Sequence, residues 1–183
     1  MYIAVQIAMT LVMAGTFVWL LLLFIATLTG SPIVYANREA VLASLKLANL
    51  KKGDLLVDLG CGDARSLITA AKLYGAKGIG VDRSPLAYFK SRFNVFMAGE
   101  RGNIKIIRGD FKRAEKILSD ADAIYLYLLN STLAQIEGWL FASVGDKTKV
   151  VSLAFEFPNV MPAQEIDTFA LGRKTKARLY RKS

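Results

Sequence analysis

The stretch Val57-Asp58-Leu59-Gly60-Cys61-Gly62-Asp63-Ala64-Arg65 joins residue types suited to gripping a nucleoside-bearing ligand. Gly60 and Gly62 let the backbone turn sharply and remove the Cβ atoms that would hold a ligand off the main chain. Asp58 sets a carboxylate at the mouth of the turn, where it can meet a cationic group directly or through water. A nicotinamide-binding loop would read G-x-G-x-x-G, its third glycine permitting close helix–strand packing. Arg65 stands in that place, which argues against a dinucleotide. The spacing and the acid favour S-adenosylmethionine (SAM), with Asp58, Gly60, Cys61 and Gly62 as its loop.

Two further acids extend the constellation. Asp82 ends the run GIGVD and can accept hydrogen bonds from both ribose hydroxyls, with Arg83 beside it. Gly78 and Gly80 alternate along that run, which predicts room for a close approach. Asp110, in Arg-Gly-Asp-Phe, is placed for an adenine amino group, with Phe111 to pack on the ring. The chain has no histidine and one cysteine, Cys61. These absences remove histidine-based triads, the usual zinc sites, redox CxxC chemistry and any intrachain disulfide. Methyl transfer from a sulfonium survives that filter.

Positioning such residues requires strands that end at them. The pattern after residue 37 alternates. A helix capped by Asn37 runs to about Asn49, with Val41, Leu42, Leu45 and Ala48 on one face. Strands come next at LLVDL, GIGVD, IKIIRGD, AIYLYLL and KVVSLAF, separated by helices over about 64–74, 85–97, 113–118 and 131–142. EIDTFALG and TKARLYR flank Gly172 as a hairpin, whose two strands cannot be parallel. The alternation predicts an α/β fold: a minimal Rossmann-like, seven-stranded, mainly parallel sheet closed by a C-terminal β-hairpin.

The front of the chain is different in kind. No charged side chain precedes Arg38, so all 24 Lys/Arg and 15 Asp/Glu, and the net charge of +9, belong to the chain from residue 38 onward. Residues 7–28 read IAMTLVMAGTFVWLLLLFIATL, roughly 33 Å as a helix. That length and composition predict a single transmembrane helix rather than a cleaved signal peptide, which would want a basic start and a shorter apolar core. Arg38, Lys46, Lys51 and Lys52 come after the span, which places the N-terminus outside and the catalytic domain in the cytoplasm. The organisation expected is an anchor over 1–30, a linker and pre-core helix over 31–52, and a SAM-dependent domain over 53–183. The tail carries Arg173, Lys174, Lys176, Arg178, Arg181 and Lys182, a surface suited to anionic lipid. Nucleic acid is disfavoured as a partner: Leu129-Asn130-Ser131-Thr132 lacks the Asn/Asp-Pro-Pro-aromatic motif of DNA adenine methylation.

Asp-Leu-Gly-Cys-Gly-Asp-Ala-Arg, Tyr127-Leu-Leu-Asn130 and Val150-Val-Ser-Leu-Ala-Phe-Glu156 resemble a group of small class I methyltransferases. The group includes the archaeal broad-specificity protein lysine methyltransferase and the mitochondrial enzymes that methylate lysine on the ATP synthase c-subunit and the adenine nucleotide translocase. The resemblance implies that Asp58, Gly60, Gly62, Asp82 and Asp110 hold SAM. It also implies that Tyr127 and Asn130 border the transferred methyl, with Ser152 and Glu156 lining the same pocket. Asn130, Tyr127 and Glu156 are the expected catalytic residues, and a membrane-associated protein lysine is the expected acceptor. The chain departs from the group at Pro32-Ile33-Val34-Tyr35-Ala36, where Pro-Tyr-Val-Pro-Thr is usual, and Ala64 replaces a third glycine. A small or lipidic acceptor, such as a quinone or amine headgroup, and a catalytically silent SAM-binding module are the alternatives.

Overall fold

The computed structural model describes residues 2–28, 36–170 and 172–182. Ile33, Val34 and Tyr35, where the family segment is altered, lie outside the described residues. The chain divides into two units, 1–33 and 34–183.

The first unit carries one helix, α1 (Tyr2–Leu28), free of acidic and basic residues. Its described side chains, at positions 2, 3 and 5–21, are exposed. Among the described residues no helix is long and apolar enough to cross a membrane. The span expected over 7–28 is therefore not shown.

In the second unit, α2 (Arg38–Ala48) begins where the Asn37 side chain accepts the Ala40 N–H at 2.8 Å, and stops at Asn49 in the left-handed conformation. Its buried face carries Ala40, Val41, Ser44, Leu45, Leu47 and Ala48, while Leu42 is only half-buried. The alternation then runs as expected: β1 (Leu55–Leu59), α3 (Arg65–Tyr74), β2 (Lys77–Asp82), α4 (Pro85–Met97) and β3 (Ile104–Arg108). A 3₁₀ turn, Phe111–Ala114, leads into α5 (Glu115–Leu118), then β4 (Ala123–Leu126), α6 (Asn130–Ser143) and β5 (Lys149–Leu153). The hairpin is β6 (Gln164–Ala170) and β7 (Arg173–Tyr180).

The seven strands form one sheet in the order β3-β2-β1-β4-β5-β7-β6. Six run in one direction; β7 alone runs antiparallel, between β5 and β6. One face buries Val41, Leu45, Leu67 and Val95 from α2, α3 and α4. The other buries Leu118, Leu133 and Leu140 from α5 and α6. A sheet covered on both faces explains why its central strands read as unbroken apolar runs.

Three strands are shorter than the apolar runs suggest. β3 ends at Arg108, because Gly109 has a φ of +152° and Asp110 already caps the 3₁₀ turn. β4 ends at Leu126 and β5 at Leu153, where Ala154 turns left-handed (φ +67°). Asp110, Tyr127 and Glu156 therefore sit beyond the strand ends.

Candidate active site

A cleft opens where β1 and β4 end, the usual ligand position in an open α/β sheet. The loop residues Gly60, Cys61, Gly62 and Asp63 line it, with Asp58 from β1, Arg65 and Ser66 from the first turn of α3, Tyr125 and Tyr127 from β4 and its exit, and Ala36.

The loop owes its shape to backbone that side chains resist. Gly60 has a φ of +85°, which strains any residue with a Cβ, and a Cβ there would also press on Leu128 Cδ2 at 2.9 Å. Its N–H bonds the Val81 carbonyl at 2.8 Å, carrying the β1–β2 ladder one step past the strand. Gly62 is also left-handed, and so is Ala64, where the family has glycine. Asp82 closes the loop: its Oδ2 accepts the Gly62 N–H at 3.0 Å and its Oδ1 accepts the Ser84 N–H at 2.9 Å. One carboxylate thus ties the loop to the start of α4.

Asp58 is 2% exposed. Its Oδ2 accepts the Ser66 hydroxyl, while Oδ1 has no partner among the described residues. Burial drives its pKa from 3.8 up to about 7, against the Ser66 hydrogen bond and with help from Asp82 and Asp63. A buried carboxylate with one oxygen unpartnered is costly, and a cation beside it would offset that cost.

The hydroxyls of Tyr125 and Tyr127 are likewise buried without a partner among the described residues. Burial raises both phenol pKa values, so they stay neutral donors and do not act as bases at physiological pH. The Cys61 thiol is pushed well above its usual range by burial and the neighbouring acids, which removes it as a nucleophile. These features fit SAM: a carboxylate for its ammonium group, phenol donors, and a glycine wall that admits close approach.

Other expected residues lie around the cleft rather than in its lining. Asp110 is exposed, and its Oδ1 accepts the Lys112 N–H at 3.1 Å as cap of the 3₁₀ turn. Phe111 packs partly against the α5–α6 core. Arg83 is exposed just past Asp82. Asn130 is exposed as the first residue of α6. Glu156 is exposed and sits 3.4 Å from the Arg178 guanidinium. Ser152 is fully buried and donates to the Phe155 carbonyl at 2.8 Å, a bond that shapes the β5 exit.

The room expected at Gly78 and Gly80 belongs to the protein itself. A Cβ at Gly80 would lie 2.7 Å from Cys61 Sγ and 2.8 Å from Leu67 Cδ1; one at Gly78 would meet Leu67 and Ile104. These glycines let α3 and the loop seat on the sheet. Sequence reasoning also missed Ser66, Tyr125, Asp63, Arg65 and Ala36. Strand pairing holds the signal for one of them, since Tyr125 is the register partner of Asp58. Arg65 pairs with Asp63 at 2.7 Å and donates to the Ala36 carbonyl, pinning the entry to α2 beside the loop.

This sheet order, with a glycine loop after β1 and an acid ending β2, defines a SAM-dependent methyltransferase. The chain belongs to the family described as the ANTKMT methyltransferase domain, which it matches over residues 58–164. It is 29% identical over 136 residues to a protein-lysine N-methyltransferase of Saccharolobus islandicus, covering 74% of this chain and 83% of that one. It is 27% identical over 131 residues to the human lysine N-methyltransferase named for the ATP synthase c-subunit, covering 72% of this chain. Only 54% of the human protein is covered, so the chain spans about half the length of that relative. Among solved structures, an RNA methyltransferase from Salinibacter ruber bound to S-adenosyl-L-homocysteine superposes with a TM-score of 0.74 at 31% identity, over 81% of this chain and 94% of that one.

Proposed function

We propose that the domain methylates a lysine side chain on a membrane or membrane-proximal protein, using SAM held over the β1–α3 loop. The observation that carries the reading is buried Asp58, with one carboxylate oxygen unpartnered among the described residues, beside two neutral tyrosine hydroxyls at a glycine-walled cleft. The protein-lysine relatives supply the acceptor class.

SAM brings a methyl group already activated by its sulfonium. Asp58 holds the ammonium end; Gly60, Cys61 and Gly62 give it a main-chain wall. Asp82 and Arg83 attend the ribose, while Asp110 and Phe111 attend the adenine. The lysine amine, with an ordinary pKa of about 10.4, must lose a proton before its lone pair can attack in line. Partial desolvation in the cleft favours that neutral form. The Asn130 amide oxygen and nearby carbonyls orient the amine. The Tyr127 phenol fixes its approach, and Glu156 accepts the released proton. Bound in the cleft, SAM would supply the methyl to the amine nitrogen and depart as a neutral thioether.

The helix α1 serves as a single-pass anchor, with the N-terminus outside and the catalytic domain cytoplasmic. What supports this is a helix of 27 residues without a charge, about 40 Å long, with Arg38, Lys46, Lys51 and Lys52 after it. The basic residues of β7 and the tail add attraction to anionic lipid.

Incubating membranes with enzyme and methyl-labelled SAM tests the acceptor. Label in a protein band, at lysine, is the expected result. Label in the organic extract would favour a small or lipidic acceptor, and label in RNA would favour the chemistry named for the Salinibacter relative. Intact SAM binding with no label anywhere would leave a silent binding module. Asn130→Ala is expected to lower kcat by at least about tenfold with SAM affinity within about twofold. A full rate in that variant removes Asn130 from the mechanism.

A further inference from the structure

Helix α4 wears its apolar residues on the outside. Leu86, Phe89, Phe93, Phe96 and Met97 are 64, 65, 62, 49 and 66% exposed. At about 100° per residue they fall within one arc roughly 100° wide. The arc lies opposite Ala87, Ser91 and Val95, which bury the inner face. Three phenylalanines, a leucine and a methionine in one exposed stripe exceed the scattered apolar residues of an ordinary surface.

The charges around the stripe point to its occupant. Lys90 flanks one side and Arg92 the other, both exposed, with Arg83 before the helix and Arg101 after it. The Arg101 guanidinium lies 4.1 Å from the Phe96 ring centroid, and Arg92 lies over Tyr88. The helix contains no acid. A second copy docked stripe to stripe would bring cations against cations with no carboxylate on α4 to pair them. An anionic bilayer interface complements both features: acyl boundary for the rings, phosphates for the long cationic side chains at the edges.

We infer that α4 lies in the surface of an anionic membrane, its Leu86–Met97 stripe inserted and its flanking lysine and arginines on lipid phosphates. The inner side of the helix reaches the cofactor loop, because Asn94 Nδ2 donates to the Asp63 carbonyl at 3.0 Å. Docking therefore sets the cleft beside the lipid boundary. This inference rests on the exposed helix and not on the identity of the methyl acceptor.

The test uses the full chain with a nitroxide at Phe93→Cys, the native Cys61 being buried, and a control label at the exposed Lys147→Cys. In phosphatidylcholine vesicles with about 30% phosphatidylglycerol, the label at 93 is expected to collide with oxygen and be shielded about tenfold from a water-soluble nickel chelate, relative to 147. Lys90→Gln with Arg92→Gln, or pure phosphatidylcholine, is expected to reverse most of that shielding. Equal chelate access at 93 and 147 overturns the inference, whether or not α1 holds the chain on the vesicle. Dipolar broadening between labels at 93 also overturns it, since a second copy would then cover the stripe. SAM affinity measured on the same variants separates loss of docking from loss of the cofactor site.

Discussion

The raised pKa of Asp58 makes its proposed cofactor contact pH-dependent. Its pKa of about 7 lies above the ordinary 3.8, so the cofactor-free fold retains a proton that the unfolded chain releases near pH 4. The stabilisation linked to that proton is full below about pH 4 and is lost as pH rises through about 7. Asp58→Asn removes the loss. The cofactor-free variant is expected to be roughly 2 kcal/mol more stable than the parent at pH 8, and no more stable at pH 4, by urea denaturation. The same substitution is expected to abolish SAM binding, because a neutral amide cannot answer an ammonium. In the parent, SAM affinity should rise with pH from about 5.5 and level off above about 7.5, with proton release seen by calorimetry in buffers of different ionisation enthalpy. A flat profile would mean that Asp58 is already ionised without cofactor. At this scale the sequence is candid about glycines and acids but silent about Tyr125 and Ser66. A tyrosine in an apolar strand and a serine in a helix are common everywhere, and only their closure around Asp58 gives them a role.

Among the elements, α3 and the loop depend on a gap that β2 leaves for them. Gly80→Ala puts a Cβ 2.7 Å from Cys61 Sγ. It is expected to cost about 2 kcal/mol by overpacking and to weaken SAM binding together with stability. Gly138→Ala is the contrasting case. It lies in α6 with nothing within 4 Å of its would-be Cβ, so it should stabilise by about 0.5–1 kcal/mol with SAM affinity unchanged. Thermal melts and calorimetry on the pair read both outcomes. Helix starts are legible because their caps are local: Asn37 before α2 and Ser84-Pro85 before α4. Strand ends are not, since an apolar run such as AIYLYLL continues past the last residue that finds a ladder partner.

For the whole molecule, the C-terminal hairpin completes the sheet rather than decorating it. Tyr180 is fully buried at the end of β7, with its ring edge-on to Phe157 at 5.0 Å, and β7 pairs with β5. Tyr180→Ala is expected to destabilise the domain by about 3 kcal/mol in urea melts. Sequence alone determined the α/β alternation, the glycine loop, the acids near the ends of β1 and β2 and the charge-free front, because each stems from local periodicity, backbone freedom or residue type. Tertiary structure alone decided that β7 lies between β5 and β6, that Gly78 and Gly80 receive Leu67, and that Tyr125, Ser66 and Ala36 meet at the cleft. It also turned the phenylalanines of α4 outward. Those outcomes depend on which surfaces are covered when distant segments pack, and no short window of residues records that.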